Sequence, residues 1–307
     1  LFENWHAYLK EQYWPDIKVR ENLSDLSSIL IDHSKLDNSY NIAPSLSPSG
    51  EKFALYSNKS GNMSIYLVST SNGKFIKKVL EGETTTKFEE LHILKPGISW
   101  SPDGEKIVFS AKSGKADALF ILNILTNKIE KFEFDLEGIF EPIWNPNDKH
   151  SEIAFIGNNG KNTDIYLYNY KNNNLTNITN DWFSDSEISW SADGDAIYFI
   201  SNRGEYNFTN NTIDLEFLYN SSFNIDNKDI YKIDKNNRKV DRITNTPFDE
   251  SYPVELKDGE SIIFISDESG INNLYIIKDG IEYPITNTIT GITQFSLDKN
   301  NNQILLS

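Results

Sequence analysis

One short motif recurs six times along the 307-residue chain, and that recurrence narrows the choice of fold more than any other feature. The clearest copy runs Ile98-Ser99-Trp100-Ser101-Pro102-Asp103-Gly104 and continues into Ile107-Val108-Phe109. It returns at 46–50 before Phe53, at 143–148 before Ile153, and at 188–194 before Ile197. Weaker copies are Leu256-Lys257-Asp258-Gly259 before Ile262, and Phe295-Ser296-Leu297-Asp298 before Ile304. Each copy reads as an apolar strand, a tight turn and a second strand. Proline presets φ in the turn, and glycine accepts the left-handed backbone.

A third strand with a central aromatic follows in five units: Ile65-Tyr66-Leu67, Leu119-Phe120-Ile121, Ile165-Tyr166-Leu167, Ile230-Tyr231-Lys232 and Leu274-Tyr275-Ile276. Ile178-Thr179-Asn180, Ile243-Thr244-Asn245 and Ile285-Thr286-Asn287 read as a fourth, closing strand. Four antiparallel strands in a unit of roughly 40–45 residues describe a propeller blade, because one such sheet cannot bury both faces alone. The expected fold is therefore all-β, a six-bladed β-propeller with inner strands near 44–47, 98–101, 142–145, 187–190, 252–256 and 292–296. The last unit supplies only two strands, so its blade is expected to be incomplete. Residues 28–32 read as that blade's outermost strand, donated from the N-terminal end, with a third strand expected just beyond Ser307. Trp5, Tyr8, Leu9 and Tyr13 keep helical spacing, which predicts a helix over 3–14 stopped by Pro15. The expected organisation is a helical lead-in from a preceding domain over 1–22 and a propeller over 23–307, cut from a larger polypeptide.

The Trp-Ser-Pro-Asp-Gly, Ile-Tyr-Leu and Ile-Thr-Asn series resembles the TolB-like propeller repeat of bacterial envelope proteins, over roughly residues 26–307. Ala192 in the turn of unit four and the missing glycine of unit six depart from that pattern. The resemblance implies a periplasmic or outer-membrane-associated, non-catalytic module that binds a protein or peptide of the cell envelope. Two other roles occur on the same fold, an accessory or gating propeller of a peptidase and a metal-dependent lyase.

Composition limits these roles. Twenty-nine basic against 45 acidic residues give a net charge of −16, which disfavours nucleic acid and a polybasic membrane contact. No apolar run approaches the length needed to span a bilayer, so no membrane insertion by this segment is expected. With no cysteine there is no disulfide, thiolate metal site or cysteine nucleophile. No cofactor is expected, and no nucleophile elbow, zinc-peptidase helix or phosphate loop occurs.

Trp100, Trp144 and Trp190 share one repeat position, matched by Leu46 and Phe295, and their recurrence reads as packing between blades. Glu255 falls at the same position, where a buried charge is costly. Either the strand shifts so that Val254 or Leu256 points inward, the preferred reading, or Glu255 has a partner. His33 and His92 both lie in links entering an inner strand and could approach one another on one face. Two links exceed the repeat length. The one from 80 to 96 carries Glu89 and His92, and the insertion from 205 to 227 carries Tyr206, Phe208, Phe217 and Tyr219. Both belong to one face of a propeller, and long aromatic loops on a rigid scaffold are common binding sites. These seven residues are the predicted binding set.

Overall fold

The computed structural model describes residues 2–32, 39–82, 89–92, 95, 97–147, 149–207 and 227–307. Five complete antiparallel blades follow one another in sequence. Blade one is β1 (Asn41–Leu46), β2 (Lys52–Ser57), β3 (Ser64–Ser69) and β4 (Phe75–Glu81). Blade two is β6 (Ile98–Trp100), β7 (Lys106–Ser113), β8 (Ala116–Asn123) and β9 (Ile129–Glu133), with the two-residue β5 (Glu90–Leu91) added beside β7. Blade three is β10 (Gly138–Trp144), β11 (Glu152–Asn158), β12 (Thr163–Asn169) and β13 (Asn174–Asn177). Blade four is β14 (Asp185–Trp190), β15 (Ala196–Ser201), β16 (Asp229–Asp234) and β17 (Val240–Arg242). Blade five is β18 (Glu250–Glu255), β19 (Ile262–Ser266), β20 (Asn273–Lys278) and β21 (Ile281–Pro284). The sixth unit is only a two-stranded sheet, β22 (Phe295–Leu297) with β23 (Ile304–Leu306). Among the described residues five blades are thus complete, not six.

The core lies between blades. One apolar cluster joins blades one and two through Trp100, a second joins two and three through Trp144, and a third joins three and four through Trp190. The Trp100 indole N–H donates to the Ser45 carbonyl of the preceding blade at 2.9 Å, so the repeated tryptophan is packing with a polar tether. In blades two to five the aromatic of the third strand faces an aromatic of the second: Phe109 with Phe120, Phe155 with Tyr166, Phe199 with Tyr231 and Phe264 with Tyr275, at 5.4–6.0 Å. In the turns, Gly50, Gly104, Gly194 and Gly259 have φ of 71–79°, the left-handed backbone that the motif requires.

Several sequence expectations are corrected. The Ile-Thr-Asn tripeptides lie just past the fourth strands. Their threonine hydroxyls accept the backbone N–H groups of Ile165, Ile230 and Leu274 at 2.8–2.9 Å. They close each blade as side-chain caps, which a β-branched sequence disguises as a strand. Leu297, not Phe295, stands at the tryptophan position, because Leu297 pairs with Ile304 as Trp100 pairs with Ile107. Glu255 stays in register opposite Ile262, so the strand does not shift. It is buried, accepts the Tyr198 hydroxyl at 2.6 Å and the Ala192 N–H at 2.7 Å, and faces Lys232 at 3.4 Å.

Helix α1 spans Phe2–Ile17 and runs past Pro15; α2 is the single turn Leu23–Leu26. Proline at that position forfeits one N–H bond but does not end the helix at once. Residues 27–32 form no strand. Instead the N-terminal segment straps the ring. Arg20 donates to the Ser269 carbonyl at 2.6 Å and Glu21 bridges Thr288, both in blade five. Leu23 packs with Ile292 and Phe295, while Leu30 and Ile31 join Leu305 and the Tyr66 face of blade one.

Candidate functional site

Four inner strands carry a β-bulge at the same place, and in each a non-glycine residue adopts left-handed backbone: Ala43 (52°), Glu141 (50°), Glu187 (51°) and Tyr252 (50°). Such backbone is rare outside glycine and costs about 1 kcal/mol or more, and bulges re-aim side chains. Gly97 and Gln294 complete the position in the second and sixth units. All six residues line an axial cavity of about 520 Å³.

The axial residues are linked in series from one unit to the next. The Glu187 N–H donates to Glu141 Oε2 at 2.6 Å, and the Tyr252 N–H donates to Glu187 Oε2 at 2.9 Å. Gln294 Nε2 donates to the Tyr252 hydroxyl at 3.1 Å, while Gln294 Oε1 accepts the Ala43 N–H at 3.1 Å. Two carboxylates therefore stand side by side in a recess. Burial, then repulsion from Glu187, pushes the Glu141 carboxyl up to about 7, against the pull of the Glu187 N–H and of Lys95. Burial also raises Glu187, opposed by the Tyr252 N–H, Lys228 and Lys95. Tyr252 is pushed up to about 12, mainly by burial.

The face at the start of the inner strands surrounds this recess. His92 Nε2 lies 2.9 Å from Asp117 Oδ1, and its ring stands edge-on to Phe140, over which Lys95 also sits. On the blade-four side, Arg203 is fully buried between Asp181 (2.9 Å) and Asp185 (2.6 Å), against the rings of Phe183, Phe199 and Tyr231. Its carbonyl accepts the Tyr206 N–H, and the Tyr231 hydroxyl donates to the Gly204 carbonyl. This buried charge cluster holds the first turn of the insertion against the blade.

Comparison with known proteins agrees with the architecture. A family model described as the TolB beta propeller domain matches residues 83–207. Over 72 residues the chain is 33% identical to the Tol-Pal system protein TolB of Nitratidesulfovibrio vulgaris, a match covering 24% of this chain and 16% of that protein. The crystal structure of TolB from Acinetobacter baumannii superposes with a TM-score of 0.61 at 21% identity, covering 82% of this chain and 56% of the other. The fold is that of a TolB-like propeller. A protein assigned as TolB from Agrobacterium tumefaciens gives a TM-score of 0.64 at 16% identity, over 88% of this chain and 91% of that one. The chain thus spans about half the length of the Acinetobacter protein, and its match to the curated relative is a short segment.

Among the predicted binding residues of the TolB-like propeller, Glu89 is exposed on the link into blade two, and its N–H donates to the Lys112 carbonyl at 2.7 Å. His92 is half-buried against Asp117. Tyr206 is only 3% exposed, its ring 5.0 Å from Phe183, so it packs into blade four and is not displayed on the rim. His33, Phe208, Phe217 and Tyr219 lie outside the described residues, and with them the pairing of His33 with His92. Sequence reasoning missed the axial set and the Arg203 cluster. A signal for the first was present: a polar side chain three residues before the tryptophan position, at Glu141, Glu187, Tyr252 and Gln294.

Proposed function

We propose that this TolB-like propeller is a non-catalytic interaction module of the bacterial cell envelope, periplasmic or outer-membrane-associated. It binds a protein or peptide on the face where the inner strands begin. The observation that carries the reading is the pair Glu141 and Glu187, held in strained backbone at the wall of an axial recess. Strain maintained at one repeat position is a mark of function. Two carboxylates in a recess of a chain with net charge −16 favour a cationic contact, a lysine, arginine or amino-terminal ammonium on the partner. The name of the curated relative, a Tol-Pal system protein, supports an envelope setting. No helix among the described residues is long and apolar enough to cross a membrane. The insertion in blade four adds contacts through Phe208, Phe217 and Tyr219 in this proposal.

The test is affinity capture from an envelope fraction by the wild-type chain and by the variant Glu141→Gln/Glu187→Gln. The same partner should be captured at low salt by the wild type and lost, by about tenfold or more, with the variant. Undiminished capture by the variant ends the axial reading.

A further inference from the structure

The axial cavity runs on from the bulges to the tight turns, and its two ends differ in charge. Beyond each bulge the inner strand enters its turn, and the turn residues that line the cavity are Pro48, Pro102, Pro146, Ala192, Lys257 and Lys299. Prolines and an alanine form one side of this second mouth, and two lysines of neighbouring units form the other. Both lysines are exposed. Lys257 Nζ donates to Asn300 Oδ1 at 3.1 Å, and among the described residues neither lysine is paired with a carboxylate.

The carboxylates that line this end are already engaged. Glu255 accepts the Tyr198 hydroxyl and the Ala192 N–H and faces Lys232. Asp298 accepts the N–H groups of Asn300, Asn302 and Gln303 at 2.7–3.2 Å. With Lys232 included, cations outnumber carboxylates here. The bulge end is the reverse: Glu141 and Glu187 stand on its wall, and among the described residues no basic side chain lines the cavity there. Between the ends, the wall is Ser45, Ser99, Ile143, Ser189, Val254 and Ser296. Ser99 and Ser296 accept the Trp144 and Leu46 N–H groups at 2.9 Å, and Ser189 donates to the Pro253 carbonyl. The serines therefore tie neighbouring strands together, and their small side chains keep the bore open without adding charge.

A ligand that satisfies both ends must carry opposite charges a fixed distance apart. Glu187 and the level of Ala192 are separated by one short run of extended chain, which at about 3.3 Å per residue spans at most about 16 Å. An extended peptide rises by the same amount, so about four or five residues reach from one end to the other. We propose that the channel seats a free oligopeptide of that length, its α-ammonium at Glu141 and Glu187 and its α-carboxylate at Lys257 and Lys299. The proposal rests on the glutamate pair being a seat for a cation, and adds the ligand's second end, its direction and its length. An internal segment of a protein has neither terminus to offer, whereas complementary potentials at both mouths orient a short dipolar chain. The serine wall favours small side chains in the middle of the peptide.

The probes are tetraalanine with free ends, its N-acetyl and C-amide forms, and the octapeptide (Ala-Gly)4. They are titrated at low ionic strength while the indole N–H resonances of Trp100, Trp144 and Trp190, which stand on the cavity wall, are followed by NMR. Tetraalanine should give saturable shifts, and acetylation, amidation or the longer chain should each weaken binding about tenfold or more. Lys257→Gln/Lys299→Gln alters exposed side chains, should keep the wild-type circular dichroism, and should bind the acid and the amide equally. Glu141→Gln/Glu187→Gln should erase the difference made by acetylation. Absence of saturable shifts, an octapeptide that binds as tightly as tetraalanine, or an amidation penalty unchanged in the lysine variant would each overturn the proposal. Should amidation alone have no effect, this proposal falls and the glutamate seat stands. Should acetylation alone have no effect, the seat falls and the proposal with it.

Discussion

Replacing Glu141 with glutamine should stabilise the protein at alkaline pH and do nothing at acid pH. Glutamine keeps an oxygen to accept the Glu187 N–H, so the substitution isolates the charge. The carboxyl rises from 4.5 to about 7 on folding. At about 1.4 kcal/mol per unit, that is a penalty of about 3 kcal/mol for the fully ionised form, an upper value because the channel admits water. The folded chain holds this proton more tightly than the unfolded chain. The group's stabilising contribution is therefore complete below pH 4.5, is lost as pH rises to about 7, and stays lost above it. An unfolding entropy of about 2 cal/mol/K per residue gives a chain of this length roughly 0.6 kcal/mol per degree, so Glu141→Gln should raise the melting temperature by about 5 °C near pH 8.5. Near pH 4 the two proteins should melt together. Glu141→Ala is the control, because it removes the charge and also strands the Glu187 N–H; it should gain less. Equal shifts at both pH values, or destabilisation at pH 8.5, would refute the reasoning. A stabilised variant also makes the capture experiment clean, since lost binding could not be ascribed to unfolding.

Arg203→Met should cost about 3–5 kcal/mol in urea unfolding at neutral pH, because Asp181 and Asp185 would be left buried without their counter-charge; a loss below 1 kcal/mol would mean that the cluster relaxes into water. Deleting residues 208–226 and joining Asn207 to Asn227 spares Tyr206 and should leave the urea midpoint unchanged while abolishing partner capture. A lowered midpoint with capture intact would identify the insertion as cover for its own blade.

The blades were legible because their signals are local. Proline, aspartate or glycine recurs at fixed offsets in the turns, and the aromatics of strands two and three meet across one hairpin, as Phe155 and Tyr166 do. Glu255 was misread for the opposite reason. Its partner Tyr198 is 57 residues away, and only the assembled ring reveals that a tyrosine hydroxyl and a backbone N–H satisfy the carboxylate. Arg203 was hidden likewise, since Asp181 and Asp185 look like solvated loop residues until blade four folds around them. The axial glutamates were concealed by backbone geometry: strict alternation would not aim Glu141 and Glu187 together, and the bulge that does so has no glycine to mark it.

The strap of residues 20–31 makes the ring mechanically unequal around its circumference. Consecutive blades are joined by covalent links, but blade five and blade one are held across the seam by non-covalent contacts bridging most of the sequence, such as Arg20 with Ser269. Closing so long a loop costs entropy that the sequential blades never incur. The seam is therefore the weak station of the ring under tension. A pull on the N-terminal helix loads the contacts of Val19, Arg20 and Glu21 with blade five in turn, and peeling them would strain the seam before any blade unravelled.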